Sequence, residues 1–232
     1  MEKQEIRTFG RRHGKKLSLR QQWLVDNLLP AISPKNEETA GKHILEIGFG
    51  GGEHLRELAI ENPNSLIIGA EPFINGVASL LSAMTQSKEL ESNRVEDNDY
   101  INIIKPEYRN IRIWPDDVRK LFTLNSQLST LQNPYSAFSQ IWVLHPDPWP
   151  KARHEKRRLL NADFLTLLGA HIAPNGQIII GTDHHEYYDW IVEQVAKTKL
   201  RITNYELQVI ETRYQKKNKA GTDAPKYLVI GY

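Results

Sequence analysis

The order of apolar and polar segments along the chain predicts an α/β fold. Short apolar runs followed by glycine, proline or acidic residues are typical of buried strands that run into turns. Strands are predicted at residues 42–47, 65–70, 111–114, 140–144, 177–181, 205–211 and 226–230. Helices are predicted at residues 53–60, 74–84, from about 117, and at 163–171 and 185–197.

This alternation of strands and helices is typical of a mostly parallel sheet with right-handed crossovers. The last two strands follow each other closely, which predicts an antiparallel edge and a Rossmann-like sheet of seven strands. We expect one domain, residues 21–232, behind a basic arm, residues 1–20. The polar, acidic segment 86–107 is expected to be an insertion loop without chemistry. In such a fold, ligands bind outside the carboxyl ends of the strands.

The composition places the chain among ordinary soluble globular proteins. Hydrophobic residues make up 40% and charged residues 25% of the 232 positions. No apolar run approaches the roughly 20 residues that a membrane span needs, so no membrane partner is expected. The basic N-terminus lacks the apolar segment of a secretory signal. The chain has no cysteine, which excludes disulfides and thiolate metal sites.

Charge distribution changes this picture more than the net charge of +2 does. Basic side chains concentrate in segments 7–20 and 151–158, and in a third cluster that consists of Arg213, Lys216, Lys217 and Lys219. Three such clusters on a nearly neutral chain favour one positive face that binds a polyanion. The alternative for any single cluster is solvated surface charge.

The first predicted strand runs into a glycine loop, LEIGFGGG. Gly48, Gly50 and Gly52 allow close approach of the backbone to a ligand at the start of the next helix. A dinucleotide fingerprint needs a glycine where this chain has Glu53, so the fingerprint fails. That failure weakens one alternative function, a nicotinamide-dependent oxidoreductase, as does the acid Glu46 at the strand end.

Four successive strands carry an acid at the carboxyl end. These acids are Glu46, Glu71, the pair Asp116 and Asp117, and Asp147. One or two of them would be unremarkable helix caps. Four around one crevice fit a cationic ligand with ribose and amine groups, since an acid after the second strand can accept from ribose hydroxyls. S-adenosyl-L-methionine is such a ligand.

Several motifs together resemble one known family, the bacterial tRNA (guanine-N7-)-methyltransferases. The motifs are RTFGRRHGKKLS, LEIGFGGGEHL, GAEPFINGVASLL, NIRIWPDDVRKL, HPDPWPKARHEKRRL, GTDHHEYYDW and ETRYQ, and they extend from about residue 7 to the C-terminal part. The resemblance implies a Rossmann-like methyltransferase fold, S-adenosyl-L-methionine as donor, and methylation of a guanosine in the tRNA variable loop. It also implies a cytoplasmic enzyme that is a monomer or a homodimer.

The resemblance assigns roles to individual residues. It implies that the donor is bound by Glu46, Gly48, Gly50, Glu71, Asp117 and Asp147, the last of which is also the presumed catalytic residue. It implies substrate binding by Lys151, Asp183, Thr212, Arg213, Tyr214 and Gln215. It implies RNA contact by Arg153, His154, Glu155, Lys156, Arg157 and Arg158. The chain departs from the family at His145, where Phe is usual, and at Gln215, where Glu is usual.

The chemistry explains why Asp147 stands between two prolines. Guanine N7 is already a lone-pair acceptor, so its methylation needs no general base. Positive charge moves from sulfur onto the purine as the bond forms, and a carboxylate held by Pro146 and Pro148 would stabilise that charge. Asp183 is expected to assist from the other side, or else to cap the following helix. Trp149 either stacks on a base or packs against the protein.

Two further readings complete the expectations. Adjacent histidines, His184 and His185, together with His145 could indicate a metal site, but neighbouring side chains do not easily reach one ion, so none is expected. The basic clusters also allow a non-catalytic RNA-binding protein that retains a methyltransferase fold. The presence of all four strand-end acids argues against that reading.

Overall fold

A computed structural model describes residues 9–10, 12–34, 41–86, 100–127, 137–203 and 225–232. Seven strands lie in one sheet, in the order β3-β2-β1-β4-β5-β7-β6. Their bounds are β1 Lys42–Ile47, β2 Ser65–Ala70, β3 Ile111–Trp114, β4 Phe138–Leu144, β5 Ile172–Thr182, β6 Arg201–Ile202 and β7 Lys226–Gly231. The helices are α1 Leu19–Trp23, α2 Leu29–Ala31, α3 Glu53–Glu61, α4 Ile74–Met84, α5 Val118–Gln127, α6 Ala162–Gly169 and α7 His185–Val195.

The predicted sheet is confirmed. β2 and β3 are parallel, as are β1 with β4 and β4 with β5, whereas β7 runs antiparallel to both β5 and β6. β5 is longer than the apolar pattern predicted, and the two-residue strand β6 was not predicted. The strand predicted at 205–211 lies outside the described residues. The predicted helices are confirmed, with ends that differ by a few residues.

The central strands are buried almost throughout, which is why their sequences are continuous apolar runs. In β1 every residue after Lys42 is buried, and in β2 every residue except Leu66 is buried. Helices on both faces of a parallel sheet remove both faces from water, so no polar alternation remains. This continuity made the strands recognisable in the sequence.

The described residues cluster into two compact units. The first draws on residues 1–42 and 49–134, and the second on residues 43–48 and 135–232. In the first unit, the core is formed by α3, α4 and the β2–β3 pair, with Leu55, Ile67, Leu80 and Ile113 at 0% exposure. In the second, α6 and α7 supply Leu168 and Tyr187 to the core, also at 0%.

A helical segment that begins at the end of the predicted basic arm was missed by the sequence analysis. α1 starts with a capping box, in which the Ser18 hydroxyl accepts from the Gln21 N–H and the Gln21 side chain accepts from the Ser18 N–H. A π-helical turn, Leu24–Leu28, then joins α1 to α2. The sequence does carry a signal for the start of this helix, because Ser18 is followed three residues later by Gln21.

The end of the predicted insertion, 86–107, is packed against the first unit. Residues 87–99 lie outside the described part of the chain, but Ile103 and Ile104 are 3% and 1% exposed. The Lys105 N–H donates to the Met84 carbonyl at 2.9 Å, and Thr85 forms a β-bridge with Ile104. The segment therefore returns to the end of α4.

Candidate active site

β1 ends in a loop of glycines with left-handed backbone conformations. Gly48, Gly50 and Gly52 have φ angles of 76°, 56° and 77°, a region that disfavours residues with a side chain. A Cβ at Gly48 or Gly50 would meet no atom of the described residues within 4 Å, whereas at Gly52 it would lie 2.6 Å from Leu80. Packing therefore requires Gly52, while open space over Gly48 and Gly50 leaves room for a ligand.

The start of α4 lies directly against this loop. A Cβ at Gly76 would collide with the Gly50 carbonyl oxygen, and no rotamer change could relieve a clash with backbone. Gly76 is therefore needed for the close approach of helix and loop. The glycine at this position was not singled out in the sequence analysis, since nothing in its local pattern marks it.

Glu71, at the carboxyl end of β2, fixes the same loop. Its Oε2 accepts from the Gly50 N–H at 2.8 Å, and its Oε1 accepts from the Phe73 N–H at 2.8 Å. The side chain is largely buried, at 7% exposure. The structure thus brings Gly50 and Glu71 together, as expected of two residues assigned to one ligand.

Asp117 has a different setting from Glu71. Its Oδ1 accepts from the backbone N–H of Arg119 and from Arg119 Nε, both at 2.9 Å, and its Oδ2 accepts from Arg119 Nη2 at 2.7 Å. This ion pair raises the pKa of Arg119. Asp117 is only 6% exposed and stands immediately before α5. Its carboxylate therefore accepts from a backbone N–H in the first turn of that helix. This agrees with helix capping, the alternative role given above for one or two of the strand-end acids.

The neighbouring Asp116 is more accessible and lies between two cations. Its carboxylate accepts from Arg12 at 2.9 Å and from Lys120 at 2.6 Å. Burial raises the pKa of Asp116, but the hydrogen bonds from Lys120 and the Asp117 N–H, with the charges of Lys120 and Arg12, outweigh it and lower the pKa below its ordinary value. Asp116 is thus an ionised anchor for the basic arm.

Residues 12–15 of that arm dock on the start of α4. Asn75 holds them from both sides, since its Oδ1 accepts from the Gly14 N–H and its Nδ2 donates to the Lys15 carbonyl, both at 2.7 Å. The Ile74 N–H donates to the Arg12 carbonyl at 3.1 Å. A side chain at position 14 would come within 2.9 Å of Asn75. Asn75 is a site-forming residue that the sequence analysis missed.

In the second unit, Glu46 is a buried carboxylate near the end of β1. It lies opposite Trp142 in the parallel pairing with β4 and is 3% exposed. A carboxylate with so little access to water needs hydrogen-bonding or cationic partners. The role of Glu46 in donor binding stays a prediction.

The loop after β4 places the predicted catalytic residue in solvent. Asp147 is exposed, and two residues near it, His145 and Trp149, have φ angles of 48° and 42°. Left-handed conformations at residues with side chains are strained and persist only where the surroundings hold them. The His145 N–H donates to the Gly181 carbonyl at 2.7 Å, which fixes the start of the loop to β5.

His145 and Asp183 approach each other behind this loop. His145 Nδ1 lies 3.8 Å from Asp183 Oδ1. Burial lowers the pKa of His145, against the opposing effect of the Asp183 charge. The N-cap of α7 is His184, whose Nδ1 accepts from the Tyr187 N–H at 3.3 Å. The alternative role of Asp183 as cap of this helix is therefore wrong.

The basic segment 151–158 folds as a 3₁₀ turn, Ala152–Arg157, beside the loop. Its exposed members are Lys151, Arg153, Glu155 and Lys156. His154 and Arg157 are half-buried because both contact the Trp149 ring, His154 edge-on at 5.8 Å and Arg157 with its guanidinium 5.0 Å from the centroid. Partial desolvation and the surrounding cations lower the pKa of His154. Trp149 therefore packs against the basic turn.

Four predicted substrate-binding residues, Thr212, Arg213, Tyr214 and Gln215, lie outside the described residues. Within the described part of the chain, no group of three or more His, Asp or Glu side chains is placed to hold a metal ion. In the same ranges, no helix has the length and apolar character needed to cross a membrane.

Comparison with known proteins shows which family the chain is similar to. Residues 40–224 match the family model described as "Putative methyltransferase". A tRNA (guanine-N(7)-)-methyltransferase of Erythrobacter litoralis is 36% identical, over 91% of this chain and 87% of its own. Those of Neorickettsia sennetsu and Caulobacter vibrioides are 32% and 33% identical, over 93% and 96% of this chain and 86% and 93% of theirs.

Solved structures agree with the fold. An antibiotic-related methyltransferase superposes with a TM-score of 0.52 at 15% identity, over 94% of this chain and 96% of its own. The 16S rRNA methyltransferase KamB superposes with a TM-score of 0.53 at 14% identity, over 83% of this chain and 88% of its own. At such low identity these likenesses show a Rossmann-like methyltransferase fold and nothing finer.

Proposed function

We propose that this chain, which belongs to the tRNA (guanine-N(7)-)-methyltransferase family, transfers a methyl group from S-adenosyl-L-methionine to N7 of a guanosine in the variable loop of tRNA. One observation carries the proposal beyond family membership. An exposed carboxylate, Asp147, stands between two prolines in a strained loop, and exposed cations follow it within a few residues. This arrangement suits a target that has a purine ring beside phosphates.

The residues around the glycine loop fit the donor. S-adenosyl-L-methionine supplies an electrophilic methyl group on a sulfonium, together with an amine and a ribose. The open space over Gly48 and Gly50 accepts a ligand, and the Glu71 carboxylate is held beside Gly50. We assign Glu46, Gly48, Gly50, Glu71, Asp117 and Asp147 to donor binding.

Asp147 acts on the purine by charge, without removing a proton. Guanine N7 carries its lone pair in the neutral base, so the carboxylate has no proton to accept there. As the methyl group transfers, the purine becomes cationic, and a negative charge fixed nearby lowers the energy of that state. A carboxylate already held in place costs no reorganisation during the reaction. Asp183, whose Oδ1 lies 3.8 Å from His145 Nδ1, is assigned to the guanine edge.

The exposed cations contact RNA phosphates. Lys151, Arg153 and Lys156 are all exposed and immediately follow the Asp147 loop. Phosphate contacts position a nucleic acid without reading its sequence, which leaves recognition of the guanosine to the base pocket. By the family resemblance, the residues from Thr212 to Gln215 complete the substrate site. A tRNA substrate places the enzyme in the cytoplasm.

The decisive assay is transfer of labelled methyl from S-adenosyl-L-methionine to unmodified tRNA, followed by nucleoside analysis. The expected product is 7-methylguanosine. Asp147→Asn keeps the size of the side chain and removes its charge, and we expect kcat to fall by about 100-fold or more. Asp163→Asn, an exposed acid in the first turn of α6, is the matched control.

Other outcomes are equally informative. Label in a different nucleoside would keep the donor and overturn the target atom. Donor binding without transfer to any tRNA would favour the non-catalytic RNA-binding alternative, and absence of donor binding would overturn the proposal altogether.

A further inference from the structure

The last arginine of the basic segment, Arg158, faces inward. Its side chain is 4% exposed, unlike that of Arg153 five residues earlier, which is open to solvent. Nε donates to the Pro148 carbonyl at 2.9 Å, and Nη2 lies 3.5 Å from the Trp149 carbonyl. These two carbonyls belong to the residues that directly follow Asp147. The guanidinium is therefore bound to the backbone of the catalytic loop.

The other side of the guanidinium rests on α7. Its central carbon lies 5.5 Å from the ring centroid of Tyr187 and 5.1 Å from that of Trp190. Tyr187 is fully buried, and its ring and that of Trp190 are themselves in contact, 5.7 Å apart. A planar guanidinium that stacks on two rings and donates at its edge has a fixed orientation. Arg158 thus joins α7 to the loop.

The loop needs such a support. Trp149 has a left-handed backbone, with φ of 42°, immediately after a proline. A strained conformation of this kind relaxes unless the surrounding contacts determine it. Arg158 supplies hydrogen bonds to the carbonyls of Pro148 and Trp149, which belong to two consecutive peptide links of the loop. Asp147 also lies close enough for its charge to act on Tyr187, whose pKa is raised first by burial and further by that charge.

We propose that Arg158 is a positioning residue, which holds the Asp147 loop against α7, and that it takes no part in RNA contact. The family resemblance assigned Arg158 to RNA contact together with the rest of the run 153–158. Burial separates it from that run, because a guanidinium at 4% exposure has no surface to offer to a phosphate. The proposal rests on the function proposed above for the Asp147 carboxylate.

The test uses Arg158→Lys, which keeps the charge but loses the planar fork. A misplacement of the loop by about 1 Å is expected to lower kcat by about 100-fold. KM for tRNA and its dependence on salt should stay as in the wild type. Arg153→Met should behave in the opposite way and raise KM for tRNA. The slope of the log of the tRNA binding constant against the log of salt concentration should fall in magnitude by about 0.7–0.9, because one phosphate contact is lost. Arg201→Met, an exposed arginine in β6, is the neutral control.

Hydrogen–deuterium exchange of the loop that contains Asp147 supplies a readout that does not depend on activity. Hydrogen–deuterium exchange of the non-proline backbone amides in segment 145–151 should be faster in Arg158→Lys than in the wild-type chain. Unchanged exchange, or a wild-type kcat, would overturn the positioning role, and a reduced salt slope would return Arg158 to the RNA contacts. If Arg158→Lys does not fold, Trp190→Leu takes its place, since it removes one of the two rings on which the Arg158 guanidinium stacks. This variant should also lower kcat and leave KM for tRNA unchanged, but the fall in kcat should be smaller.

The two proposals fail in different ways. Failure of the proposed function appears in the wild-type chain, as absence of 7-methylguanosine from the labelled tRNA. Failure of the positioning role appears in Arg158→Lys, as hydrogen–deuterium exchange in segment 145–151 that equals the wild type. This measurement is valid whether or not the wild-type chain methylates tRNA.

Discussion

The side chain of Glu71 accepts a hydrogen bond from the backbone N–H of Gly50 at 2.8 Å, and so joins the end of β2 to the glycine loop. The same carboxylate accepts from the Phe73 N–H through its second oxygen. A group that was expected to bind ribose thus also fixes the conformation of the glycine loop. Under the proposed function, donor binding and loop geometry are coupled at Glu71.

Glu71→Gln should weaken donor binding and destabilise the fold together. Glutamine presents one oxygen and one NH₂ group, so one of the two N–H donors would face another donor. An unsatisfied buried donor costs about 1–3 kcal/mol, and this is the expected loss in the free energy of unfolding. Calorimetric titration with S-adenosyl-L-methionine and urea unfolding measure the two effects.

The matched control is Glu61→Gln at the exposed end of α3. It removes the same charge from the same unit and should change neither quantity. If Glu71→Gln binds the donor like the wild type, the carboxylate holds no part of the donor site.

Gly76→Ala tests the contact between α4 and the glycine loop. Alanine favours a helix by about 1 kcal/mol over glycine, so an unhindered position would be stabilised. Here the added methyl meets the Gly50 carbonyl, and overpacking of this kind costs about 1–3 kcal/mol. We expect no gain in thermal stability and about tenfold weaker donor binding, equivalent to about 1.4 kcal/mol. Ser79→Ala in the same helix is the control, and donor affinity equal to the wild type in Gly76→Ala would contradict the prediction.

Asn75→Ala should release the basic arm from α4. The variant loses the hydrogen bonds to Gly14 and Lys15, each worth about 0.5–1.5 kcal/mol. Limited trypsinolysis should then cleave faster at Lys15 and Lys16. Asn62→Ala, at the end of α3, removes another local hydrogen bond and should leave those cleavage rates unchanged. Equal rates in the two variants would mean that Asn75 does not hold the arm.

Much of the fold was predictable because the parallel strands are buried on both faces. The runs KHILEI and SLIIGA coincide with β1 and β2 to the residue. The α1–α2 segment was less visible, since it begins at the end of the basic arm and Pro30 interrupts the helical pattern. Only the capping box at Ser18 marked its start.

The site was predictable by residue type but not by environment. The sequence places acids at the strand ends, yet it does not show that Asp117 is engaged by Arg119, two positions further on, while Asp116 is free to reach Arg12. It also does not distinguish Arg158 from the exposed cations before it. These differences depend on which neighbours tertiary packing brings into contact, and a one-dimensional pattern does not record them.

Stability should fall as pH drops below the ordinary histidine pKa, and His145 contributes to this fall. Its pKa is lowered by burial, so the unfolded chain takes up a proton at a higher pH than the folded protein does. The neutral form therefore contributes stability at pH above about 6.5, and that contribution is lost as pH falls through the lowered pKa. His145→Phe cannot take up the proton, so urea unfolding measured from pH 8 to 5 should show a shallower loss. Some slope will remain, because burial lowers the pKa of His171 in the same direction. His13→Asn, at an exposed position, should keep the wild-type slope, and a slope in His145→Phe as steep as that control would contradict the assignment.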